Sequence, residues 1–238
     1  MILKTFKSDN LDIKVFDTRN DMGKAAAADV AACIKETLGG KKEIRMVFAA
    51  APSQNEFLEA LAATEGIEWG RVHALHMDEY VNLPADAPQG FGNFLRRAIF
   101  DKVPFASVDY IGTDKDSEAT CRRYSEILRA TAIDIVCMGI GENGHIAFNE
   151  PGSSLVSLTR QKTLTQDTII ANSRFFDNDV NKVPKTALTV GVGTVMAAKS
   201  VMIIANGYKK APALRNAVEG AVSQMCTLSV LQMHRKAI

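Results

Sequence analysis

Short apolar runs alternate along this chain with stretches in which apolar residues recur every three or four positions. Ile44 to Ala50 (I-R-M-V-F-A-A), Val72 to Met77, Val108 to Gly112, Ile133 to Ile140, Ala187 to Val190 and Val201 to Ala205 hold four to eight residues each and stop at glycine, proline or polar clusters. Runs of that length predict strands buried on both faces. Between them the helical period runs through Arg19 to Leu38, Ser53 to Ala63, Phe91 to Lys102, Ser117 to Ala130, a segment from about Gly193, and Lys209 to about Val222. The first of these is ended by Gly39-Gly40. Ser53 and Glu56 stand at the spacing of a capping box, which would start the second helix at Ser53. Strand and helix in alternation imply an α/β fold, a mostly parallel sheet with helices on both faces. Pro84 to Gly90 reads as a loop, and no repeat, low-complexity tract or linker divides the chain, so residues 1–238 are expected to form a single domain.

Composition narrows the class of function. A formal charge of +1 over 238 residues gives no electrostatic case for nucleic acid or an anionic membrane. No apolar run approaches the roughly 18 residues of a membrane span, and M-I-L-K-T-F-K-S-D-N lacks the apolar core of a secretory signal. The four cysteines, Cys33, Cys121, Cys137 and Cys226, form no C-x-x-C pair. Reduced thiols in a cytoplasmic protein are the expectation.

Three stretches carry candidate chemistry. Cys137 to Gly152 reads C-M-G-I-G-E-N-G-H-I-A-F-N-E-P-G. It places a histidine, an asparagine and a glutamate (His145, Asn149, Glu150) directly after a predicted strand, where ligands bind in open parallel sheets. H-M-D-E-Y, from His76 to Tyr80, also follows a strand. A carboxylate there is shielded from water, which raises its pKa and suits it to proton abstraction, but an acidic helix N-cap fits the same string. Asp78 and Glu79, being adjacent, should point in different directions. The third set is basic: Arg160, Lys162, Arg174, Lys209 and Lys210 converge on strand ends, where they suit a phosphate or are solvated surface charges. Neither a metal nor a cofactor is expected.

The string G-I-G-E-N-G-H-I-A-F-N-E-P-G, with M-D-E-Y, A-N-S-R-F-F (171–176), T-R-Q-K-T-L-T-Q-D-T and L-T-V-G-V-G-T, resembles the glucosamine-6-phosphate deaminase family from about Gly23 to the end. The related 6-phosphogluconolactonases carry a G-x-D-G-H-x-A-S turn without N-E-P and are the weaker match. The resemblance implies a Rossmann-like α/β domain of the hydrolase class that isomerises and deaminates glucosamine 6-phosphate to fructose 6-phosphate and ammonia. By motif, Asp78 would move a proton between C2 and C1, His145 would serve the ring oxygen, and Glu150 would hold the histidine. Arg174 and Lys210, with Ser53 and Gly144, would hold the phosphorylated substrate. Asn143 stands where the family commonly has aspartate. A-A-A-P-S-Q (49–54) stands where the family has a glycine-rich phosphate loop, so Ser53 is a phosphate ligand, a helix cap, or both. Ser153, Ser154, Arg160, Lys162 and Thr163 match positions where hexameric members bind an activator, which raises a homo-oligomer. The chain stops at Ile238, short of those members' C-terminal helix. A galactosamine 6-phosphate enzyme and a non-catalytic sugar-phosphate sensor stay open as alternatives.

Overall fold

The computed structural model describes residues 1–112 and 116–238. It opens on an antiparallel hairpin, β1 (Ile2–Ser8) and β2 (Leu11–Phe16), turned at Asp9 with φ 48°. Helix α1 (Arg19–Gly40) follows, its N-cap Thr18 accepting the Asp21 N–H. Strand β3 (Ile44–Phe48), helix α2 (Asn55–Ala62), strands β4 (Val72–His76) and β5 (Asp78–Tyr80), and helix α3 (Phe91–Leu95) come next. The second half of the chain supplies β6 (Ser107–Asp109), α4 (Ser117–Ala130), β7 (Ile135–Met138), β8 (Arg160–Thr163), α5 (Gln166–Asn172), β9 (Thr186–Thr189), α6 (Val192–Met196), β10 (Ser200–Ile203) and α7 (Ala211–Glu219).

Five of these strands form an all-parallel sheet in the order β10-β7-β3-β4-β6. Both faces of β3 are buried, which explains why four of its five residues are apolar. Ile44, Met46 and Phe48 enter a core shared with α1 and α2, whereas Val47 enters a second core with α4 and α7. Each such side chain, fully buried, contributes roughly 1.5–3 kcal/mol. The one polar residue in the Ile133–Ile140 run is also explained. Buried Asp134 accepts the Arg45 N–H at 3.0 Å and pairs with Lys41 and Lys199.

A second, three-stranded antiparallel sheet, β5-β9-β8, was not evident from periodicity. The chain leaves the main sheet at Met77, whose N–H goes to Phe48 O and whose carbonyl accepts from Val190 N–H. Asp78, Glu79 and Tyr80 then pair with Thr189, Leu188 and Ala187. The expected helix Phe91–Lys102 is α-helical only to Leu95 and continues as a wider π turn over Arg96–Phe100.

The capping box is corrected. Pro52 starts a 3-10 turn, Pro52–Gln54, and the α-helix begins only at Asn55. Ser53 therefore lies inside the turn instead of ahead of it, and neither the turn nor the helix has a side-chain cap. Glu56 pairs with Arg19 at 2.9 Å instead.

The topology fixes where a site can form. After β3 the chain builds β4 and β6 on one side, then crosses back to β7 and β10 on the other. The crevice between the ends of β3 and β7 is the switch point of the sheet. Among the described residues no helix is long and apolar enough to cross a membrane.

Candidate active site

Two buried acidic residues side by side, Asp78 and Glu79, have different surroundings. Glu79 is turned onto the start of α3. Its carboxylate accepts the N–H groups of Tyr80 at 3.0 Å, Phe91 at 3.1 Å and Gly92 at 2.9 Å. It supplies the cap that Gly90 lacks. Burial raises its pKa, and those three N–H groups pull it back. Asp78 has no hydrogen-bond donor among the described residues. Burial, with the Glu79 charge beside it, pushes Asp78 up to about 8. Sequence reasoning left base and cap open for this string; the structure gives the cap to Glu79 and leaves Asp78 free.

His76, at the end of β4, is buried and held down to about 3 by that burial. Its Nε2 accepts the Ile111 N–H at 2.9 Å, so Nδ1 carries the hydrogen; Nδ1 is buried against the Asp78 backbone with no well-aligned hydrogen bond among the described residues. His73, three residues earlier, lies against Ser107 and Glu43 instead. No group of three or more His, Cys, Asp or Glu side chains that could hold a metal occurs among the described residues.

The turn after β7 is built around His145. Gly141 N–H donates to His145 O at 2.9 Å, which folds the imidazole over Gly141. A Cβ at Gly141 would lie 2.3 Å from the ring. Gly144, at φ 86°, is constrained by conformation and by space, since a Cβ there would meet Cys226 Sγ at 2.5 Å. His145 Nδ1 stands 3.2 Å from Glu150 Oε2, an ion-pair distance that is not aligned as a hydrogen bond. Asn143 ties the two together: its Nδ2 donates to Glu150 Oε2 at 3.0 Å and its Oδ1 accepts the His145 N–H at 3.2 Å. Burial would raise the Glu150 pKa, but His145, Thr168 and Asn143 hold it down at about 2.

Other side chains lock this turn to the Asp78 strand. Thr189 pairs with Asp78 across the second sheet, and its Oγ1 accepts the Phe148 N–H at 3.1 Å. Fully buried Asn149 donates to Ile146 O and Val190 O. Thr227 Oγ1 accepts the Ile146 N–H and donates to Asn149 O. Thr189 and Thr227 escaped sequence reasoning, because each acts on a partner at least 41 residues away.

The predicted basic residues separate into two groups. Arg174, in a 3-10 turn after α5, lies over the Phe175 ring and 3.9 Å from Glu142 Oε1. Burial holds Lys210 below its usual range, with Glu142 pulling it up and Arg174 pressing it down, so these three charges are neighbours. Ser53 borders the crevice: its Oγ is 3.0 Å from where a Cβ at Gly139 would be. Arg160 is turned inward instead, donating to Asn149 Oδ1 at 2.9 Å and Leu158 O at 3.1 Å. Of the other predicted activator positions, Ser153 is buried with an unpartnered Oγ, Ser154 and Thr163 are exposed, and Lys162 is half-buried on β8. A separate cavity of about 460 Å³, lined by Ile13, Met22, Ile203 and Leu214 among others, includes none of the predicted site residues.

The family model described as "Glucosamine-6-phosphate isomerases/6-phosphogluconolactonase" matches residues 17–237. A glucosamine-6-phosphate deaminase of Bacteroides thetaiotaomicron is 55% identical over 176 residues, 72% of this chain and 65% of the relative. One from Pasteurella multocida is 50% identical over 176 residues, 72% of this chain and 66% of the relative. These matches span just under two thirds of the curated relatives' length. Among solved structures, a monomeric glucosamine-6-phosphate deaminase superposes with a TM-score of 0.86 at 31% identity, covering 93% of both chains. A 6-phosphogluconolactonase from Trypanosoma brucei, at 15% identity and TM-score 0.79 over 97% of this chain and 95% of its own, shares the fold.

Proposed function

The chain belongs to the family of glucosamine-6-phosphate isomerases and 6-phosphogluconolactonases, and from that membership we propose that it isomerises and deaminates glucosamine 6-phosphate. The observation that carries the reading is Asp78, a buried carboxylate with no donor among the described residues, tied through Thr189 to a histidine turn whose own carboxylate is held at Glu150 Oε2 by Asn143 and His145. A base whose pKa lies near the operating pH is suited to taking a proton from carbon. In this reading Asp78 moves the C2 proton of the open-chain sugar to C1, through an enediol-type intermediate. Water adds to the imine left at C2, and the resulting carbinolamine collapses to the carbonyl as ammonia departs. His145 passes a proton to and from the ring oxygen, and Glu150 and Asn143 hold the imidazole in place. Two transfers at two atoms need two separate groups, and Asp78 and His145 stand on different strand-end turns to supply them.

Arg174 and Lys210 bind the phosphate, Arg174 through its planar guanidinium. Ser53 adds a hydroxyl, and Gly144 lets the backbone approach. Ser153, Ser154, Arg160, Lys162 and Thr163 enter the reading as an effector surface, supported by the Arg160–Asn149 hydrogen bond into the His145 turn. The relatives' names, isomerase and deaminase, give no support to the hydrolase class expected from the sequence. The neighbour described as monomeric gives none to a homo-oligomer. Four free thiols, two of them buried, accord with a cytoplasmic setting.

The test is ammonia release from glucosamine, galactosamine and mannosamine 6-phosphates. Glucosamine 6-phosphate is expected to be the best substrate. Preference for the galacto epimer would move the assignment within the class, and no ammonia from any of the three would overturn it.

A further inference from the structure

The loop after β3 lacks the glycines of a phosphate-cradling loop, and Gln54 stands within it, fully buried. Its side-chain nitrogen lies 3.1 Å from Ser53 Oγ and 3.4 Å from Ile204 O. A carbonyl oxygen only accepts, so the amide nitrogen must face Ile204. Its two hydrogens then go to two acceptors, Ile204 O and Ser53 Oγ, while Oε1 stays buried without a partner. Because Ser53 Oγ accepts from the amide, the hydroxyl's own hydrogen remains available to another acceptor. Accepting one hydrogen bond also strengthens the hydroxyl as a donor. Ser53 itself is half-buried on the crevice between the ends of β3 and β7, opposite Gly139.

We propose that Gln54 is a positioning residue that orients the Ser53 hydroxyl as a hydrogen-bond donor into the crevice, where it meets the phosphate of the substrate. The inference rests on the sugar-phosphate reading and deepens it. A phosphate dianion presents only acceptor oxygens, so it is served by a hydroxyl with a free hydrogen.

The experiment uses the full chain, the best aminosugar phosphate as substrate, and inorganic phosphate as a competitive inhibitor. Ser53→Ala and Gln54→Leu are each expected to raise KM and the phosphate inhibition constant about tenfold, with kcat within about twofold. The double variant is expected to be no worse than Ser53→Ala alone, because both changes remove one contact. Gln54→Glu keeps the side chain's size but offers the Ser53 hydroxyl an acceptor, and it should impair phosphate binding at least as much. It also decides the matter if the leucine variant fails to fold. The proposal is overturned if Ser53→Ala weakens phosphate inhibition while Gln54→Leu and Gln54→Glu do not, or if the two effects multiply in the double variant. A silent Ser53→Ala would remove Ser53 from phosphate binding, and Gln54 with it. Failure of inorganic phosphate to inhibit the parent enzyme would count against the sugar-phosphate reading itself.

Discussion

Asp78 and Glu150 are both buried carboxylates in segments that follow strands of the parallel sheet, β4 and β7, yet they titrate on opposite sides of neutrality. Asp78 lies near 8, because burial acts on it with only the repulsion of Glu79 for company. Glu150 lies near 2, because His145, Thr168 and Asn143 outweigh the desolvation that would raise it. Glu79, adjacent to Asp78, sits between the two cases, buried but holding three backbone N–H groups. Burial alone therefore does not set the role of an acid here; the donors within reach of it do. The unpartnered carboxylate is suited to accept a proton, and the partnered one to hold a cationic or polar neighbour.

The comparison is broken most directly by Asp78→Asn. The amide keeps the shape and cannot take a proton, so kcat should fall about 100- to 10,000-fold with KM nearly unchanged. In the parent enzyme kcat/KM should rise with pH through about 8, where Asp78 ionises. Stability should move the other way. The folded-state pKa lies above the ordinary value of 3.8, so the folded protein holds the proton more tightly than the unfolded chain does. Parent stability therefore falls as pH rises from about 4 to about 8, and the asparagine variant escapes that loss. Its Tm should match the parent's near pH 4 and exceed it at pH 8. Near-normal turnover in a folded variant would remove Asp78 from the mechanism.

Glu150→Gln is the opposite case. Its folded-state pKa, about 2, lies below the ordinary 4.5, so it contributes stability above pH 4.5 that is lost as pH falls toward 2. The variant should lose about 1–3 kcal/mol at pH 7 and little at pH 2, as read by denaturant titration. Activity should drop roughly 10- to 100-fold, since His145 loses the negative charge 3.2 Å from its Nδ1. If Glu150→Gln and Asp78→Asn shift stability in the same direction at pH 7, the distinction between the two carboxylates fails.

Arg174→Ala lies outside both carboxylates. KM should rise about tenfold or more with kcat little changed, because a contact to phosphate is kept from ground state to transition state. Dephosphorylated glucosamine should be a poor substrate of the parent. Equal rates on glucosamine and its 6-phosphate would remove phosphate recognition.

What the sequence made legible follows from how each element gets its stability. Strands β3, β4, β7 and β10 are buried on both faces and leave runs of apolar residues, so each was found within about two residues. The terminal hairpin is mostly exposed on both faces and held by pairing around Asp9, so it left no periodic trace. Strand β8, R-Q-K-T, is polar, and β5 is three residues long; both exist because β9 lies between them. The S-x-x-E spacing misled because Pro52 begins the turn one residue early. Asp78, His145 and Glu150 were legible as a motif, but the division of labour between Asp78 and Glu79 depended on Phe91 and Gly92 folding back. The role of Gln54 is set by Ile204, 150 residues away, and no local pattern announces it.

The smallest expected effect tests the partnered side at its least usual residue. In Asn143→Asp, one oxygen still accepts the His145 N–H, but the other replaces an N–H donor 3.0 Å from Glu150 Oε2. Two carboxylates at that distance do not both stay ionised, so the pair shares a proton and titrates as a unit, well above the value Glu150 has alone. With one net negative charge retained, the imidazole keeps its counterpart, and kcat at the optimum should stay within about threefold of the parent. Asp78 sets the acid limb of the rate profile near 8, so the shift of the pair is read in the pH dependence of stability, by denaturant titration of parent and variant. The sign for stability also reverses: the raised pair binds its proton more tightly when folded, so the variant loses stability as pH rises, where Glu150 in the parent gained it. Superimposable pH profiles of parent and variant would mean that the Asn143 amide does not govern Glu150, and the low pKa of Glu150 would then rest on His145 and Thr168 alone.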